Sequence, residues 1–83
     1  MKLIAPRTVN EMFDFGDTTR EDRIALGLLP PPLKINDRVR RFLYDECFLV
    51  ARAYAAGATE DQVRTLVKKL TARRPKLKDA LEV

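Results

Sequence analysis

Residues 49–68 read LVARAYAAGATEDQVRTLVK, and this stretch decides the fold. Gly57 divides it into two segments whose apolar residues recur at intervals of three and four, the spacing that lines one face of a helix. Upstream, Val39, Leu43, Cys47, Val50 and Tyr54 form a stripe that Phe42, Leu49, Ala53 and Ala56 widen. The pattern predicts a helix over 37–56, capped by Asn36 and stopped by Gly57. Downstream, Thr59 and Gln62 have the spacing of a capping box, opening a helix over 60–73 with a seam of Val63, Leu66, Val67 and Leu70. Two helices joined by a tight glycine turn make an αα-hairpin in the C-terminal half.

Beyond that hairpin, Pro75 breaks the helix, and Leu77, Ala80 and Leu81 suit a last helical turn or two. Before it, Pro30, Pro31 and Pro32 favour a stiff polyproline II joint. A proline-rich SH3 ligand fails, because Leu29 stands where Lys34 would require a proline. Thr18 and Glu21 suggest a second capping box for a short helix over 19–26, ended by Gly27, with Ile24 and Leu28 facing inward. Residues 1–17 show no sustained period and read as an irregular arm, with room for one short strand or helical turn. Leu3, Ile4, Val9, Met12, Phe13 and Phe15 make that arm too apolar to hang free. The expected architecture is all-α, a small bundle of three to four helices with an irregular N-terminal arm.

The chain has 83 residues, 46% of them hydrophobic and 34% charged, which suits one small folded domain over 1–83. It contains no His, Ser or Trp and a single cysteine, Cys47. Ser-His and Cys-His nucleophile pairs cannot be assembled from it, a zinc site lacks its usual ligands, and three glycines do not make a phosphate-cradling loop. The expectation is therefore a protein that is not an enzyme, with no cofactor, no metal and no small-molecule substrate. Cys47 lies within the apolar stripe and reads as a small buried hydrophobe. Tyr44 and Tyr54 read as packing residues with a wet tip. MKLIAPRTV has no hydrophobic region of signal-peptide length, and no apolar run approaches the roughly 20 residues of a membrane span. The expected compartment is the cytoplasm, with no membrane partner.

Charge narrows the function. Arg64, Lys68, Lys69, Arg73, Arg74, Lys76 and Lys78 give residues 64–78 a local +7, so the net +4 of the chain leaves −3 for the rest. A second basic group is Lys34, Arg38, Arg40 and Arg41 against Asp37, while residues 11–22 hold Glu11, Asp14, Asp17, Glu21 and Asp22 against Arg20. Clustering of one sign on one element is the footprint of a polyanion binder, although a solvated basic helix face produces the same run.

Ala53, Gly57, Val63 and Leu66 match the spacing of the helix-turn-helix family: a small residue four before the turn glycine, apolar residues six and nine after it. The segment Leu49 to Lys68 therefore resembles a helix-turn-helix motif. The resemblance implies a recognition helix whose Thr59, Arg64, Thr65 and Lys68 face a nucleic acid, with Lys69, Arg73, Arg74, Lys76 and Lys78 adding backbone contacts. Glu60 and Asp61 suit a helix start but carry the wrong sign for phosphate. A further stretch, TREDRIALGLLPP from Thr19 to Pro31, resembles the opening of the substrate domain of malic enzymes. It carries none of that family's catalytic or cofactor residues and implies only a short helix before a proline turn.

The leading expectation is a small basic nucleic-acid-binding protein, DNA or RNA, or a transcription-related regulator, acting through its C-terminal helix. The alternative is a protein-binding adaptor or inhibitor, of the kind phages encode, docking on a larger machine. In that reading Phe13 and Phe15 form a hot spot rimmed by Asp14 and Asp17, and the basic helix meets an acidic protein surface. A third reading is a subunit of an oligomeric assembly, for which a homodimer is the simplest case.

Overall fold

The computed structural model describes residues 1–81. The αα-hairpin is present, but its first helix is shorter than the periodicity suggests: α3 spans Tyr44–Ala55 and α4 spans Glu60–Ala72. Gly57 turns the chain out of α3. The Gly57 N–H donates to Tyr54 C=O at 3.0 Å and the Ala58 N–H to Ala53 C=O at 3.0 Å, with Gly57 at φ 87°. That left-handed conformation is cheap only without a Cβ. The capping box at the start of α4 forms in both directions: Gln62 N–H donates to Thr59 Oγ1 at 3.2 Å, and Thr59 N–H to Gln62 Oε1 at 2.8 Å.

The fold is mostly helical but not all-α. Residues 37–43, expected inside the long helix, instead form a turn (37–39) and the central strand of a three-stranded antiparallel sheet. Its strands are β1 (Leu3–Ile4), β2 (Leu33–Lys34) and β3 (Arg40–Leu43), with β3 in the middle. Leu3 pairs with Leu43 and Ile4 with Phe42 on one side, Leu33 with Arg41 and Lys34 with Arg40 on the other. Asn36 accounts for the difference. Its Oδ1 accepts from the N–H groups of Arg38 and Val39 at 2.9 and 3.0 Å, as an N-cap would. The next bond then runs the opposite way from a helix: the Ile35 N–H donates to Val39 C=O at 2.9 Å, closing a hairpin. An Asn-headed turn and an N-cap share the same first step, and a strand partner decides between them. Here Leu3 and Ile4 supply that partner, and burial of Ile4 against Phe42 rewards it.

The N-terminal arm is likewise ordered. After β1, helix α1 covers Pro6–Phe13, with Pro6 at a first-turn position whose N–H needs no intrahelical partner. Helix α2 runs Asp17–Ala25, two residues earlier than expected, so the Thr18–Glu21 box does not form and Asp17 instead sits in the first turn. Gly27 ends α2 as anticipated, at φ 75°, with Leu28 N–H donating to Arg23 C=O at 2.9 Å. Arg20 ties α1 to α2: Nη1 donates to Asn10 Oδ1 at 2.9 Å and to Asp17 Oδ1 at 2.7 Å. Hydrogen bonds from Asn10 and Arg20 hold the Asp17 carboxyl below its usual range. A last short helix, α5, covers Leu77–Leu81.

Two buried clusters form the core. Ile4, Val9, Leu29, Phe42 and Cys47 build the first, between α1 and the sheet; Leu28, Val50, Val63, Val67 and Leu70 build the second, between α3 and α4. Phe13 packs against both and joins them. Pro30 is fully buried, so the proline run is anchored in the body rather than held out as a spacer.

Candidate functional site

Helix α4 faces the core with Val63, Val67 and Leu70, which leaves Thr65, Lys68 and Lys69 on the solvent side. The basic residues singled out from the sequence fall into two groups. Arg64 and Arg74 hold the fold together. Arg64 Nε donates to Leu26 C=O at 2.9 Å, bolting the end of α2 to α4. Its Nη atoms meet Asp61 at 3.0 Å and Glu60 at 3.9 Å. The acidic pair at the start of α4 is thus answered within the protein. Arg74 grips Glu46 with its Nε–Nη2 edge, at 2.8 and 2.6 Å, and Nη2 also donates to Pro31 C=O at 2.7 Å. Glu46, on the first turn of α3, is buried, and its hydrogen bonds hold Arg74 more firmly protonated than usual.

Lys68, Lys69, Arg73, Lys76 and Lys78 form the second group. All are exposed, and none makes an ion pair among the described residues. They run from the C-terminal half of α4 through the turn after it into α5, and at the end of α4 the helix carbonyls favour positive charge. Thr65 lies on the same face but its Oγ1 donates to Asp61 C=O at 3.1 Å. The contact from Arg74 brings Pro31, two residues before the β2–β3 hairpin, to this end of α4. That hairpin carries Lys34, Arg38, Arg40 and Arg41, with Lys34 directly opposite Arg40 and 3.7 Å from Asp37.

Phe13 and Phe15 stack on one another, centroids 5.3 Å apart and rings 11° from parallel. They are half-buried, not a free arm, and with Met12, Leu28, Leu29 and Ala51 they line an open groove of about 330 Å³. Arg23 and Tyr54 complete its wall. Arg23 Nη1 donates to the Tyr54 hydroxyl at 3.0 Å and the guanidinium lies 5.7 Å from the ring centroid. Nothing local in the sequence links Arg23 to Tyr54, 31 positions away.

Cys47 is buried, and burial together with the Glu46 charge pushes its thiol up to about 12, so it stays a neutral thiol at physiological pH. No group of three or more Cys, Asp or Glu side chains suited to a metal is found among the described residues, and no described helix is long and apolar enough to cross a membrane. Comparisons with protein-family models, curated proteins and solved structures find no match to this chain.

Proposed function

We propose that this is a non-enzymatic binding protein, acting as a nucleic-acid-binding regulator through the basic end formed by the C-terminal half of α4 and α5. One observation carries the reading: Lys68, Lys69, Arg73, Lys76 and Lys78 are exposed from the C-terminal half of α4 into α5, without carboxylate partners among the described residues. Phosphate contacts of this kind supply affinity without reading sequence, and they release counterions on binding. The buried neutral thiol of Cys47 supports a role without nucleophilic chemistry. Glu60 and Asp61 occupy the first turn of α4, so the proposed contact lies at the C-terminal end of that helix rather than at the N-terminal residues a helix-turn-helix protein offers to bases.

Titration with labelled duplex DNA and with single-stranded RNA across a salt series tests this. The triple variant Lys68→Gln, Lys69→Gln, Arg73→Gln should bind more weakly, and its log–log salt slope on duplex should fall by roughly 0.9 per lost phosphate contact. Its melting temperature should stay near that of the parent. Equal affinity and slope for parent and variant would remove the basic end as the contact surface.

A further inference from the structure

The groove beside Phe13 and Phe15 contains an arginine whose best binding edge is unoccupied. Among Arg23's five N–H donors, one meets the Tyr54 hydroxyl, and Nε and Nη2 make no hydrogen bond among the described residues. No carboxylate of the described residues lies within ion-pair distance of it. The same protein shows what that edge does when a carboxylate reaches it: Arg74 holds both oxygens of Glu46 through Nε and Nη2 at 2.8 and 2.6 Å. Arg23 lines an apolar groove, with the equivalent Nε–Nη2 pair free of protein partners among the described residues. Tyr54 fixes it there, through its hydroxyl and its ring face.

We infer that the groove is a binding site for a small amphipathic carboxylate, with its apolar body against Met12, Phe13, Phe15 and Leu28 and its carboxylate held by Arg23. The size is consistent: about 330 Å³ sits at the low end of small-molecule sites and accommodates roughly a dozen non-hydrogen atoms at ordinary packing density. The chemistry is specific in sign. An apolar groove alone accepts any greasy molecule, whereas a planar guanidinium fork at its wall selects a carboxylate over an alcohol or an amine of equal length. This inference is independent of the proposed nucleic-acid surface, since none of the exposed cations of α4 and α5 lines the groove.

Decanoate, decanol and decylamine, titrated into ¹⁵N-labelled protein and followed by NMR shifts, separate the possibilities. Decanoate should bind roughly tenfold more tightly than decanol, the usual worth of a charge-assisted hydrogen-bonded pair. Decylamine should be weakest, and the shifts should centre on residues 12–15, 23 and 54. Arg23→Gln should bring decanoate down to the affinity of decanol, and Arg23→Lys should restore only part of the difference because an ammonium cannot form the fork. Should Arg23→Gln not fold, the Arg23→Lys result and the three-ligand comparison on the parent protein still decide. Equal affinities for the three ligands, shifts centred on residues 68–78, or groove shifts that depend on protein concentration without ligand would each overturn the inference. The last would make the groove an interface between two copies of the chain.

Discussion

Replacing Arg74 by Met should cost this protein a large part of its stability, although the residue lies in the most basic stretch of the chain. The side chains of Glu46 and Arg74 are 8% and 16% exposed, and two hydrogen bonds of 2.6 and 2.8 Å join them. Removing the guanidinium strands a buried carboxylate, for which about 3–5 kcal/mol is the usual penalty. The Pro31 carbonyl also loses its donor, but Pro31 is exposed and water can replace that bond. For a domain of this length the whole folding free energy is roughly 4–12 kcal/mol, so the single variant should melt at least about 12 °C lower. The double variant Glu46→Met, Arg74→Met removes both charges and should recover most of the loss. Urea unfolding followed by circular dichroism at pH 7 measures all four corners of this cycle. A single variant within about 1 kcal/mol of the parent, or a double variant as unstable as the single, would show that the pair is not the clamp described here.

Alkaline pH should destabilise the fold through Cys47. Burial pushes its thiol up to about 12 from the 9.0 of a free thiol, so between those values the unfolded chain releases a proton that the folded chain keeps. Stability contributed by this group is complete below pH 9 and falls as pH rises, by up to about 1.4 kcal/mol per unit. A parent whose urea midpoint falls between pH 9 and 11 no more steeply than that of Cys47→Ala would contradict the assignment. At Gly57, where an added Cβ meets no atom within 4 Å, Ala should cost about 1–2 kcal/mol from the left-handed backbone alone. Asn at the same position should cost less than Ala, and the two melting temperatures check the order.

What the sequence discloses about this fold is what its neighbours along the chain decide. Gly27, Gly57 and the Thr59–Gln62 box act within a few residues, and each appears where the spacing puts it. The seam of α4 is legible for the same reason. Residues 36–43 are not, because Asn36 begins a helix and a hairpin with the same two bonds, and the choice falls to Leu3 and Ile4 at the other end of the chain. Val39 and Leu43 keep a helical interval while standing in or beside a strand, and Phe42 reaches the core from β3. Charge is readable in the same limited way. Arg64, Lys68 and Arg74 are equivalent in sequence, yet the partners of Arg74 lie 28 and 43 positions away and the carbonyl partner of Arg64 lies 38 away. The Arg23–Tyr54 contact, 31 positions apart, was beyond local reasoning altogether.

The division between clamped and exposed cations also bears on why the basic end is built as it is. Lys69 and Arg73 stand one helical turn apart, and Lys34 faces Arg40 across a strand pair, arrangements that each cost a few tenths of a kcal/mol through like-charge repulsion. Helix ends relieve part of this, since the C-terminal carbonyls of α4 favour cations, but the hairpin has no such dipole. Arg64 and Arg74 show that a basic residue in this fold can be matched by a carboxylate where structure requires one. Lys68, Lys69, Arg73, Lys76 and Lys78 have no such match among the described residues, and Arg74 ties Pro31, two residues before β2, to the end of α4.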